Sequence, residues 1–162
     1  MRDLVVYYSQ GGNTAYAAEA LARLLDADLL RVEPEKSYPS KGFAKFFWGG
    51  KSSVMAEAPV LRPYSFQAAE IDRVIIGFPV WAGSFAPPIR TFLRENRKVL
   101  ASKRVAAFAC QSGSGAERAF GKLRESLGGR ELDATLILVD PRDKPSPENE
   151  NRLRDFARRL GL

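Results

Sequence analysis

Six consecutive small or polar residues, Ser9-Gln10-Gly11-Gly12-Asn13-Thr14, follow the apolar run Leu4-Val5-Val6-Tyr7-Tyr8 and precede an Ala/Leu-rich stretch. The chemistry open to such a segment is anion binding. Small residues let a ligand come close to the backbone, successive N–H groups can form a concave nest, and Ser9 and Thr14 add hydroxyls. If a helix starts at Thr14, its positive end faces the same spot. The natural occupant is a phosphate group. On the glycines alone, a plain strand-to-helix turn explains the segment equally well; the hydroxyl and amide residues at the helix start favour phosphate.

Other chemistries are excluded by what is missing. The 162 residues include no histidine and one cysteine, Cys110. Without imidazole there is no Ser/His/Asp or Cys/His nucleophile, and most zinc and copper sites lose their usual ligand. One cysteine forms no intrachain disulfide and no multi-cysteine cluster, which fits a reducing compartment. No catalytic side chain and no metal ligand set is assigned. An enzyme made of such residues would lean on a cofactor.

The elements that must position the loop are legible in the hydropathy pattern. Five short apolar runs, 4–8, 28–32, 74–78, 105–110 and 134–139, are nearly continuous, as strands buried on both faces are. Helical patterns separate them at 14–25, 87–96 and 115–127, and a last helix is expected over 147–160 with Ser146 as N-cap and Pro147 at the first position. Alternation of this kind predicts right-handed crossovers and a single α/β domain, 1–162, built on a doubly wound five-stranded parallel sheet of order 2-1-3-4-5 with helices on both faces. In that order the crevice between strands 1 and 3 gathers the loops after Tyr8, Phe78 and Cys110. The long interval 33–72 is expected to hold a helix near 43–57. Its Phe43, Phe46, Phe47, Trp48 and Tyr64 are read as cover for the sheet, with a cofactor or substrate lid as the alternative.

Ser-x-x-Gly-Asn-Thr after the first strand resembles the phosphate loop of flavodoxins, which holds the phosphate of FMN. Gly11 stands where that loop usually carries Thr or Ser, so one hydroxyl is absent. The second segment, Gly77-Phe78-Pro79-Val80-Trp81-Ala82-Gly83, resembles the Gly-x-Pro-x-Trp-x-Gly loop of one flavodoxin-like subgroup, which covers an edge of the isoalloxazine. There Trp81 is the stacking candidate, since an aromatic ring combines offset stacking with exclusion of water. The third, Cys110-Gln111-Ser112-Gly113-Ser114-Gly115, resembles the third flavodoxin loop more loosely. Backbone groups of Gln111, Ser112 and Gly113 could meet the pyrimidine edge, while Cys110 reads as a small buried hydrophobe. The resemblance covers nearly the whole chain and implies a flavodoxin-like fold. It implies FMN as cofactor, held by Ser9, Gln10, Gly11, Gly12, Asn13, Thr14, Pro79, Val80, Trp81, Ala82, Gly83, Gln111, Ser112 and Gly113. It also implies a peptide at Ala82-Gly83 that turns a carbonyl towards flavin N5, permitting one-electron transfer. The function expected is electron transfer to a redox partner protein or a small-molecule acceptor. The alternatives are an FMN-dependent NAD(P)H or quinone oxidoreductase with 42–64 forming its pocket, and a flavin-free module docking an acidic partner.

Charge suggests where such a partner would sit. The formal net charge is +6, and the densest basic segment, 90–104, holds Arg90, Arg94, Arg97, Lys98, Lys103 and Arg104 against the single acid Glu95. A solvated helix face is the simpler reading and an acidic partner the alternative. No aromatic stacking motif or known module accompanies it, so nucleic acid is not expected. No apolar stretch reaches ~18 residues and Met1-Arg2-Asp3 runs straight into a strand, so no membrane span and a cytoplasmic location are expected. Gly50-Lys51-Ser52 is no P-loop, because Lys45 stands where the motif needs Gly. A phosphatase of similar topology would need Cys in place of Ser9, and a phospho-receiver would need acids in place of Tyr7 and Tyr8.

Overall fold

Strand β1 (Asp3–Tyr7) is buried at all five residues and sends alternate side chains into two separate cores. Leu4 and Val6 point to one face, Val5 and Tyr7 to the other, as a strand with helices on both sides requires. The structure is a computed structural model and describes residues 1–38 and 57–162. The elements that follow are α1 (Asn13–Leu25), β2 (Asp28–Arg31), a short 3-10 turn (Ala68–Glu70), β3 (Arg73–Trp81), β4 (Ser84–Phe85) and α2 (Pro87–Glu95). Then come α3 (Arg97–Ala101), β5 (Arg104–Gln111), α4 (Ala116–Ser126), β6 (Thr135–Val139) and α5 (Pro147–Arg159).

The sheet path is β2-β1-β3-β5-β6, with the two-residue β4 paired antiparallel to β3. The five strands of the path follow the expected order 2-1-3-4-5, and the correction is a short sixth strand that comes after the third in sequence and pairs with its end, off the path. The pairings along the path are parallel. One face is covered by α2 and α4 through Ile89, Phe92, Phe120 and Leu123, the other by α1 and α5 through Ala17, Leu21, Leu153 and Phe156. Fully burying each such Phe or Leu contributes roughly 1.5–3 kcal/mol.

Two local features lock the sheet. Gly77 of β3 lies opposite Phe108 of β5, and a Cβ there would come 2.0 Å from the ring's Cζ, so the phenyl occupies the space a side chain would need. At the N-terminal end of the strands Arg73 donates to both carboxylate oxygens of Asp3, at 2.9 and 2.7 Å, and to the Leu160 carbonyl at 2.7 Å. That buried fork ties the end of α5 to the two central strands.

The structure moves several boundaries. β3 runs past the expected end at Phe78 to Trp81, because its tail finds a partner in β4 beyond the parallel sheet. The basic stretch after Asn96 forms α3 around the buried Leu100. Ser146 caps α5 as expected, its Oγ accepting from the Asn149 N–H. Tyr64 packs on Phe92 of α2, 5.8 Å between centroids, against the core that α2 shares with the sheet. The helix expected near 43–57 and the aromatics Phe43, Phe46, Phe47 and Trp48 lie outside the described residues. Among the described residues no helix is long and apolar enough to cross a membrane.

Candidate functional site

Parallel strands end together, so the loops after β1, β3, β5 and β6 meet at the C-terminal edge of the sheet. A cavity there is lined by Ser9, Gln10, Gly11, Asn13, Thr14, Pro79, Val80, Trp81, Cys110, Gln111, Ser112 and Asp140. The three segments singled out from the sequence thus converge. Of the fourteen residues named there, Gly12, Ala82, Gly83 and Gly113 do not line the cavity.

In the first loop Gly12 has φ +97° and serves as N-cap of α1, a conformation that favours glycine. The helix starts at Asn13, one residue before the expected start. Ser9 Oγ accepts from the Ala15 N–H at 3.1 Å, which leaves its own O–H to donate. The N–H groups of Asn13 and Thr14 have no partner inside the helix, as in any first helical turn. Thr14 is buried and meets Cys110.

Pro79, Val80 and Trp81 belong to β3, and the residues between paired Trp81 and Ser84 form a two-residue hairpin turn. Ala82 has φ +49° and Gly83 φ +69°. Positive φ at both positions is the type I′ pattern that matches strand twist, and at Ala82 it costs on the order of 1 kcal/mol. Trp81 is buried, held edge-on by Tyr8 (5.8 Å, 88°) and Tyr38 (5.4 Å, 89°). Among the described residues its Nε1 has no hydrogen-bond acceptor. Gln111 ends β5 and its Oε1 accepts from the Ala116 N–H at 3.0 Å, fixing the start of α4. Gly113 is exposed with open space around it.

Sequence reading missed a fourth loop. Asp140, after β6, is buried with φ +41° and accepts from Ser112 Oγ at 2.8 Å. Two residues on, the Arg142 N–H donates to Asn13 Oδ1 at 2.9 Å and Arg142 Nη1 to the Gly11 carbonyl at 3.3 Å. The Asp140-Pro141 pair was the available signal, since Asp-Pro after a strand marks a turn. That loop belongs to the strand next to β5, hence to the same edge.

The electrostatics of the cavity are set by burial. Desolvation pushes the Cys110 thiol up to about 12, opposed by a hydrogen bond with Thr14 and reinforced by the Asp140 charge. Cys110 is therefore a neutral thiol at ordinary pH, consistent with its reading as a small hydrophobe and not a nucleophile. Burial raises Tyr8 as well, followed by Tyr38. Among the described residues no cluster of acids and cysteine is placed to hold a metal.

The arrangement offers an anion seat, flanking hairpin and loop backbone, and a buried indole. Unengaged donors gather beside apolar surface, a set that fits a phosphorylated planar group such as a flavin mononucleotide. Comparison with known proteins finds chains of the same fold. A flavoprotein of Bacteroides eggerthii is 24% identical, with TM-score 0.78 over 99% of this chain and 98% of its own. One from Bacteroides uniformis is 28% identical, TM-score 0.70, over 85% and 90%. A Lactobacillus acidophilus flavoprotein solved in complex with FMN is 23% identical, TM-score 0.69, over 86% and 93%. The model of the flavodoxin family matches residues 2–144. The chain belongs to the flavodoxin family.

Proposed function

We propose that the cleft at the C-terminal edge binds FMN and that the protein transfers electrons through it. The observation that carries this reading is the convergence of three separate loops on one cavity, with the start of α1 at one side and Trp81 at the other. The FMN complex of the Lactobacillus acidophilus protein supports the choice of flavin. Bound FMN would supply the redox chemistry. The chain's own residues would bind and orient it. Ser9 O–H and the N–H groups of Asn13 and Thr14 would hold the phosphate, Gln111, Ser112 and Gly113 would offer backbone groups to the ring's polar edge, and Trp81 would exclude water.

The hairpin turn adjoins the cavity through Trp81. Gly83 accepts either sign of φ, but turning the Ala82–Gly83 peptide from type I′ to type II′ would put Ala82, the first central residue, in a region that only glycine adopts readily, so that rotation is strained at Ala82. A carbonyl in that peptide would offer an acceptor to a proton arriving with an electron.

The part of the basic segment from Arg97 onward is an unsuitable entry point for electrons. Arg97, Lys98, Lys103 and Arg104 flank the start of β5, whereas the cavity lies at its end. Eight residues at roughly 3.3 Å each separate the two by about 25 Å. An acidic partner docked there would serve another purpose.

Purified protein titrated with FMN should quench flavin fluorescence at one equivalent, and stepwise dithionite reduction should then pass through a long-wavelength band. Absence of quenching would reject the reading. Steady oxidation of NAD(P)H by the isolated loaded protein would replace the carrier with an oxidoreductase.

A further inference from the structure

We propose that Arg142 makes the site selective for a phosphorylated flavin, by holding its guanidinium against the anion loop. This rests on the flavin reading above and adds to it a residue that lies outside the three loops.

The loop itself, residues 9–14, carries no charge. A phosphate monoester brings about −1.5 to −2 at neutral pH, against which the end of α1 offers the equivalent of roughly half a positive charge. Thr14 is already engaged with Cys110, so the hydroxyl left to donate is that of Ser9, beside the N–H groups of Asn13 and Thr14. Neutral donors alone would leave most of that charge uncompensated.

Arg142 is placed to meet the deficit. A Cβ built on Gly12 would lie 1.8 Å from its Nη1 and 2.9 Å from its Cζ, so the guanidinium rests directly on the loop. Its position is set by a strap 130 residues away in sequence. Asn13 Oδ1 accepts from the N–H groups of Arg142 and Asp143 at 2.9 and 3.1 Å, and Asn13 Nδ2 donates to Asp143 Oδ2 at 3.0 Å. Of its five N–H donors, Nη1 meets the Gly11 carbonyl and Nε faces Asp143 Oδ1 at 3.8 Å. The rest of the fork is available for phosphate oxygens.

Among the described residues two other cations lie near the cavity, and one of them, Lys144, is 3.8 Å from the Asp140 carboxylate. Arg31 donates from β2 to the Ser9 carbonyl at 2.9 Å, yet Glu33 pairs with it at 2.8 Å. The carboxylate beside Arg142 is a full ångström farther, so less of its charge is spent.

The test compares FMN with riboflavin, which differ only in the phosphate, in wild type, R142Q, R142K and the distant charge control R94Q. Fluorescence titration gives both dissociation constants at two salt concentrations, and thermal unfolding of each apo-protein reports folding. The side chain is exposed and the strap uses its backbone, so R142Q should fold normally. Expected is a loss of FMN affinity on the order of tenfold or more in R142Q, with riboflavin unchanged within about twofold, partial recovery in R142K and no change in R94Q. The FMN preference of wild type should fall with salt. An equal loss for both flavins, or no loss for either, would overturn the role of Arg142 while leaving flavin binding intact. Binding of neither flavin by folded wild type would overturn the flavin reading itself.

Discussion

Gly115 lies against Gly83: a Cβ built on Gly115 would approach the Gly83 Cα to 3.1 Å and Val80 Cγ1 to 3.1 Å. Gly115 also has φ +106°, so its place demands glycine twice over. This contact sets the spacing between the hairpin turn that follows Trp81 and the start of α4 that follows Ser112, both next to residues lining the proposed flavin site. Gly115→Ala is expected to destabilise the fold by about 1–3 kcal/mol and to weaken FMN at least tenfold. Denaturant unfolding and flavin titration measure the two effects separately.

The Asp3–Arg73 fork stands at the opposite end of the sheet and concerns stability alone. Both side chains are buried, so removing one leaves an unpaired charge. Asp3→Ala or Arg73→Ala should each lower stability by roughly 3–5 kcal/mol in urea titration. The double variant Asp3→Leu/Arg73→Met should recover a large part of that loss. Recovery should be incomplete, because the Leu160 carbonyl loses its donor.

How much of this was legible in the sequence differs from element to element. β1, β3 and β5 were plain because strands buried on both faces read as unbroken apolar runs. Pro79 made β3 look finished at Phe78, yet it still pairs in register with Cys110, and the strand goes on to meet β4. The basic stretch over α3 hid a helix, since only Leu100 of its five residues is buried. The phosphate loop was legible as local spacing. Asp140 and Arg142 were not, because they join the site through contacts spanning 28 to 131 residues that only the folded sheet brings together.

Alkaline stability should report on Cys110. Its thiol is raised to about 12 in the folded protein against roughly 8.5 in an unfolded chain, so folding holds the proton more tightly. The associated stability is fully present below pH ~8.5 and is lost as pH climbs towards 12, at about 1.4 kcal/mol per pH unit. Tyr38 and Tyr64, also raised to about 12, begin to contribute only above their unfolded value near 10. Urea unfolding at pH 8 and pH 10 should therefore show wild type losing roughly 2 kcal/mol relative to Cys110→Ala. An equal decline in both proteins would place the thiol elsewhere on the scale.

Strand β6 ends the sheet, and its outward backbone is covered by α5. Arg159 donates to the Thr135 carbonyl at 2.9 Å and Arg152 to that of Ile137 at 3.2 Å, while Asn149 both accepts from and donates to Val139. Covered edges resist pairing with a second chain. Arg152→Ala/Arg159→Ala should change unfolding free energy by no more than about 1 kcal/mol, yet promote association in sedimentation experiments at high concentration. A sedimentation profile identical to wild type would show that the arginines are dispensable there.

The central claim is that flavin sits among the loops at the C-terminal edge, and amide chemical-shift mapping during FMN titration tests it most directly. The largest shifts are expected at Gly11, Gly12, Asn13, Thr14, Ala82, Gly83, Gln111, Ser112 and Gly113, with Arg142 and Asp143 following and Arg97, Lys98 and Ile137 unmoved. Shifts concentrated at the basic end of the sheet or along β6, or none at saturating FMN, would contradict it.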